Sequence, residues 1–110
     1  MNETEAALLF AVLSNADRLK VIRALVEAGP EGLKAGDIAV KINASPSRAS
    51  FHLTALAQSG FVGSKRKSRS IFYQINFNRL GALVSFLMED CCKGSRELRD
   101  CCNMQASDRN

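Results

Sequence analysis

The segment that most constrains how this chain can fold is Ser45-Pro46-Ser47-Arg48, which opens a run continuing to Ser59 and stopped by Gly60. A serine at the first position can satisfy free amides at a helix start. Proline is favoured one residue later because its φ is already helical, and glycine accepts the left-handed conformation that ends a helix. The spacing predicts a helix bracketed by these signals, with Ala49, Leu53, Leu56 and Ala57 turned inward. Ser47, Arg48, Ser50, Phe51 and Thr54 then fall wholly or partly on the other side, forming an outer face that is polar and largely uncharged.

Three helices are expected before this one. Glu3 to Leu13 places Ala6, Leu9, Phe10 and Leu13 at helical spacing with acids in the first turn, where the positive end of the helix dipole favours them. Ser14-Asn15-Ala16-Asp17 resembles a capping box before a second helix, Ala16 to Ala28, with Leu19, Ile22, Leu25 and Val26 as its apolar stripe. Gly29 to Gly32 is a connector, and Ala35 to Ile42 is a short third helix with Ile38, Ala39 and Ile42 inward. After Gly60, Phe61-Val62-Gly63 and Ser70 to Ile75 are expected as two strands around a polar, basic loop, Ser64 to Arg69. A last long helix runs from Asn76 or Asn78 through Leu80, Leu83, Val84 and Leu87 to about Cys92, ended by Gly94.

The resulting order is ααααββα: mainly α with a small β-hairpin. A short helix, a tight turn, a capped helix and a basic hairpin make a winged helix-turn-helix, in which the capped helix enters a major groove and the hairpin reaches the neighbouring backbone. Charge agrees with this. The chain of 110 residues carries a formal charge of only +4, yet between Ile38 and Met88 there are seven basic residues and no acid, leaving eight bases and eleven acids elsewhere. An acid-free basic stretch in one small domain is the electrostatic footprint of a nucleic-acid binder, since each neutralised phosphate releases counterions. Ser45, Ser47, Arg48, Ser50 and Thr54 on the helix and Lys65, Arg66, Lys67 and Arg69 on the hairpin carry groups able to donate to base edges or phosphate oxygens. His52, the only histidine, is read as a DNA-proximal or a packing residue.

The length suits one domain, 1–94, followed by a cysteine-containing polar tail, 95–110. A core this modest is often completed by a second copy, so a homodimer is expected. The acidic start, Met-Asn-Glu-Thr-Glu, differs from a signal peptide and no long apolar run exists, so the expectation is a cytoplasmic chain without membrane association. Catalysis is not expected: a thiol enzyme needs a Cys-x-x-Cys near a βαβ unit or a Cys/His/acid constellation, and neither occurs.

Several stretches, in order, resemble the ArsR/SmtB (arsenic-repressor) family of dimeric bacterial repressors: Leu13 to Ile22, Ser45-Pro46-Ser47-Arg48-Ala49-Ser50-Phe51-His52-Leu53 leading to Leu56, Gly60-Phe61-Val62, and Lys65-Arg66-Lys67 before Ile71-Phe72-Tyr73. The resemblance covers Ala6 to about Gly94. It implies binding to double-stranded operator DNA, with Ser47, Arg48, Ser50, Phe51, His52 and Thr54 at or near the DNA and the first and last helices forming the dimer interface. The effector site departs from the family. Where many members carry Cys-x-Cys this chain has Leu33-Lys34-Ala35-Gly36-Asp37, and the zinc sensors' last-helix ligands are missing because no histidine follows His52.

What remains is sulfur. Cys91-Cys92 and Cys101-Cys102 form two adjacent pairs near the end of the chain, similar to a subset of arsenic-responsive members. Soft thiolates select soft ions, so trivalent arsenic or antimony is the expected inducer: arsenite, antimonite or methylarsenite, the last needing only one pair. The reading is a metalloid-responsive repressor whose apo dimer leaves its operator when the cysteines bind. The alternative is a thiol-based redox or persulfide sensing repressor.

Overall fold

The computed structural model describes the backbone of residues 1–94 and the side chains of residues 1–88. The element order is α1 (Glu3–Leu13), α2 (Ala16–Ala28), a 3-10 turn (Gly29–Glu31), β1 (Leu33–Lys34), α3 (Ala35–Lys41), α4 (Pro46–Gln58), β2 (Val62–Lys67), β3 (Ser70–Ile75) and α5 (Phe77–Gly94). All five helices stand where the sequence signals put them. Asn2 and Ser45 cap α1 and α4 through side-chain oxygens that accept from the Glu5 and Arg48 amides. The cap of α2 is Asn15, accepting from the Arg18 amide, whereas Ser14 ends α1. The expected box is therefore shifted by one residue, because two helices meet with no spare linker and Ser14 is used by the first.

The expected hairpin is present as β2 and β3, and the sheet adds a further short strand to it. The sheet has three antiparallel strands in the order β1-β3-β2, with Leu33 opposite Tyr73 and Lys34 opposite Phe72. Two residues are too short to show strand alternation, so this edge was not legible in the sequence. Gly32 makes it possible: at φ 75° its backbone lies so close to the Tyr73 carbonyl that a Cβ would collide with it. The basic segment is also mostly strand. Lys65, Arg66 and Lys67 lie in β2, paired with Phe72, Ile71 and Ser70, and only Ser68-Arg69 form the turn.

One core joins every helix to the sheet. Leu25, Ile38, Ile42, Leu56, Phe61 and Leu83 are fully buried within it. Phe61, expected as strand, instead bridges two helices: its amide donates to the Leu56 carbonyl at 3.0 Å and its carbonyl accepts from the Asn76 amide at 2.8 Å. The inner stripe of α2 is Val21, Ile22, Ala24 and Leu25, leaving Leu19 and Val26 at its exposed margins. In α4 the buried stripe is Ala49, His52, Leu53 and Leu56, while Ala57 is exposed.

Gly29 and Gly32 share an extended backbone with positive φ that only glycine adopts readily, but a Cβ meets nothing at Gly29 and backbone at Gly32. Gly29→Ala is expected to lower unfolding free energy by about 1–3 kcal/mol from backbone strain. Gly32→Ala should cost distinctly more, because β1 must also separate from β3. Urea unfolding of the two variants side by side checks the ranking.

Candidate nucleic-acid interface

The turn between α3 and α4 fixes how α4 is presented. Asn43 takes φ 55°, a left-handed conformation that asparagine tolerates better than most residues, and the chain then extends through Ser45 into the helix. Ser45, Ser47, Arg48, Ser50, Phe51 and Thr54 are all exposed. The Ser45 and Ser47 hydroxyls are 3.4 Å apart, and Thr54 Oγ1 donates to the Ser50 carbonyl at 3.0 Å. Five of these six expected contacts thus carry small hydroxyls or a guanidinium, and the sixth is a phenyl ring.

His52 goes the other way. It is buried, which settles the two readings of this residue toward packing and removes it from the outer face. Arg18 Nε donates to His52 Nδ1 at 3.1 Å, and this assigns the ring proton to Nε2, which lies 3.5 Å from Asp17 Oδ2. The same carboxylate oxygen holds Arg48 Nε at 3.0 Å. Arg18 Nη1 also donates to the Val12 carbonyl at 3.1 Å, and its guanidinium carbon stands 5.8 Å from the centroid of Phe51. Two consecutive residues at the start of α2 therefore fix α4 at Arg48 and His52 and connect it to the end of α1. Neither Asp17 nor Arg18 was singled out as a site residue from the sequence; their adjacency just inside the Asn15 cap was the available signal.

A second clamp acts at the far end of α4. Arg79 of α5 donates through Nε to the Ser59 carbonyl at 3.2 Å and through Nη1 to Glu5 Oε1 of α1 at 3.3 Å. The recognition-type helix is thus linked by side chains to both α1 and α5.

On the sheet, strand alternation sorts the basic residues. Lys34 of β1 and Lys67 of β2 each place Nζ 5.6 Å from the centroid of Phe72, and Lys65, paired with Phe72, donates to the Pro30 carbonyl at 3.2 Å. Arg66 is paired with Ile71 instead, and Arg69 sits in the exposed turn. Lys34 joins the cluster only because β1 exists, which is why the sequence alone did not point to it.

Cys91 and Cys92 fall within α5, beyond the described side chains, and Cys101 and Cys102 lie outside the described residues. Among the described residues no three histidine, cysteine or acidic side chains come together as a metal site. No helix among them is long and apolar enough to cross a membrane.

Residues 15–64, from the cap of α2 into β2, match the profile of the bacterial regulatory protein, arsR family. An uncharacterised HTH-type transcriptional regulator of Bacillus subtilis, YceK, is 32% identical over 69 residues, covering 63% of this chain and 68% of its own. The chain belongs to the arsR family. Its winged helix-turn-helix is shared with an ArsR-like transcriptional regulator from Rhodococcus sp. RHA1, at TM-score 0.70 and 26% identity with 92% of each chain covered. The transcriptional activator HlyU of Vibrio cholerae is 23% identical over 95 residues, 86% of this chain and 85% of its own. Two further structures are similar to this ArsR-family chain. The homodimeric winged helix-turn-helix DNA-binding domain Mb0332 from Mycobacterium bovis has TM-score 0.58 and 25% identity, covering 87% and 94%. The AntR antimony-specific transcriptional repressor has TM-score 0.61 and 28% identity, covering 84% and 83%.

Arg18→Ala leaves the buried Nδ1 of His52 without its donor, and the expected loss of stability is about 1–3 kcal/mol. His52→Asn, whose side-chain oxygen can stand near the place of Nδ1, should lose less than His52→Ala. Chemical denaturation of the three variants measures both effects.

Proposed function

We propose that this ArsR-family regulator is a homodimeric repressor that binds operator DNA through α4 and the β2–β3 hairpin and is released by trivalent arsenic or antimony at its cysteines. The observation that carries the DNA-binding part is the outer face of α4. It presents Ser47, Arg48, Ser50, Phe51 and Thr54 without an acid, on a domain whose sheet gathers Lys34, Lys65 and Lys67 around Phe72. Hydroxyls and guanidinium donate to base edges and phosphate oxygens, and lysines neutralise the backbone. Arg66 and Arg69 extend that charge along the wing.

Dimerisation through α1 and α5 is supported by what those helices leave uncovered. Leu8 of α1 is 66% exposed, and Phe77, Val84 and Leu87 of α5 are about half exposed. A groove of about 700 Å³ between α2 and α5, lined by Ile22, Val26, Phe77, Leu80 and Val84, continues this apolar surface. A second copy is its occupant in this reading, in keeping with the homodimeric state of the Mb0332 domain. Two α4 helices must then meet successive major-groove faces about 34–36 Å apart, and a small change at the α5 contact alters that spacing. Arg79, joining α5 to the last turn of α4, offers a direct mechanical link.

The inducer rests on donor chemistry. Cys91, Cys92, Cys101 and Cys102 are the only cysteines in the chain, and thiolates favour soft metalloids over magnesium, calcium or manganese. The antimony-specific repressor AntR lends support as a structural relative. Repression rather than activation, the role named for HlyU, is expected, and a reporter strain lacking the protein should show raised output.

A duplex enriched from a random pool, labelled for fluorescence anisotropy, tests the assembly. Arsenite, antimonite or methylarsenite should weaken its binding by about 5- to 150-fold, the range of ordinary allosteric coupling. Cys91→Ser or Cys92→Ser should abolish the response, and Cys101→Ser or Cys102→Ser should spare it. Binding unchanged by all three metalloids removes the inducer assignment. Release by peroxide or persulfide, with an intact mass lower by two hydrogens per bridge, replaces it with the redox sensor.

A further inference from the structure

The outer face of α4 contains one side chain that does not fit a phosphate-binding role. Phe51 is an aromatic residue 55% exposed to water, on a helix whose other exposed residues from Ser45 to Thr54 are the imino acid Pro46, hydroxyls and Arg48. It is not needed for the core, which α4 reaches through Ala49, His52, Leu53 and Leu56. Its ring is restrained from one side by the Arg18 guanidinium at 5.8 Å, and Arg18 is itself held by His52 and the Val12 carbonyl. An exposed ring held in place by a fixed cation is prepared for a contact outside the chain.

Each base pair shows the major groove a distinct set of groups. Guanine is read by a bidentate arginine or lysine, adenine by asparagine or glutamine, cytosine by an acid, and thymine by apolar contact with its 5-methyl group. Between Ser45 and Thr54 there is no asparagine, glutamine, aspartate or glutamate. The one arginine has Nε on Asp17 at 3.0 Å and Nη2 toward the Asn43 carbonyl at 3.5 Å, so through Nη1 it can reach a phosphate or a single acceptor but does not present the free fork that reads guanine. Hydroxyls donate and accept, so they select weakly. The discriminating chemistry left on this face is the phenyl ring.

Resting on the DNA-binding reading above, we propose that Phe51 is a specificity-determining residue that recognises the 5-methyl group of a thymine in each half-site. Closing the ring over the methyl removes apolar surface of both from water. One methyl group removed from such a contact corresponds to about a fourfold change in affinity per half-site, and a symmetric site doubles the effect on a logarithmic scale.

The test uses the full chain and a duplex it enriches from a random pool. Thymines of that duplex are replaced one at a time, symmetrically in both half-sites, by deoxyuridine, which keeps the pairing and every hydrogen-bonding group and lacks only the methyl. At one position, binding by the wild-type chain should fall about 15-fold. Phe51→Ser should bind the thymine and uracil duplexes equally, and Phe51→Leu, still apolar, should retain part of the preference. As the ring is exposed and outside the core, both variants are expected to keep the wild-type unfolding midpoint, and Phe51→Leu remains informative if the serine variant does not fold. Wild-type binding indifferent to uracil at every position, or a methyl preference that persists undiminished in Phe51→Ser, overturns the assignment while leaving DNA binding intact. If no duplex is enriched at all, the DNA-binding reading fails and this assignment fails with it.

Discussion

The placement of α4 depends on a buried acceptor, the Nδ1 atom of His52, and on the arginine that satisfies it. An imidazole inside an apolar stripe is costly unless both nitrogens have partners. Arg18 and Asp17 supply them from the start of α2, and because Asp17 also holds Arg48, the inner and outer sides of α4 are fixed by the same pair of residues. A helix packed through Ala49, Leu53 and Leu56 alone could slide or rotate by small amounts at little cost. Directional contacts to His52 and Arg48 remove that freedom, and the sharpness of any base reading follows from it.

Around this helix the fold connects the parts that a regulator must couple. Arg18 reaches back to the last turn of α1, Arg79 reaches from α5 to the cap of α4, and Phe61 joins the end of α4 to the residue before α5 through two backbone hydrogen bonds. The helices with uncovered apolar faces are therefore the ones wired to the helix with the polar outer face. In a molecule this small, with one continuous core, there is little slack between those surfaces.

The helical skeleton was legible because its punctuation is local. Ser45-Pro46, Gly29 and Gly60 act on residues within one turn of themselves, and the outer face of α4 follows from periodicity once its ends are known. The misses share a different origin. β1 exists because Gly32 approaches Tyr73, forty-one positions away in sequence; His52 turns inward because partners wait on α2; Lys65 to Lys67 extend a strand because Phe72 and its neighbours pair with them. Polar residues look like loop or surface when only the chain itself is considered, and long-range partners decide otherwise. The cysteine pairs were conspicuous in the sequence and fall beyond the described side chains.

Pairing on the wing has one more consequence. Because neighbouring strand residues point to opposite sides, Lys65 and Lys67 share a side with Phe72 and Lys34, while Arg66 shares the other with Ile71. A slip of β2 by a single position, as a deletion in the two-residue turn could cause, would exchange these sides. Two of the three ammonium groups beside Phe72 would give way to one guanidinium, with Lys34 staying in place on β1, and deletion of Ser68 would do this without any change in total charge. The length of the Ser68-Arg69 corner is thus a determinant of which surface carries the domain's positive potential, independent of how many basic residues the hairpin contains.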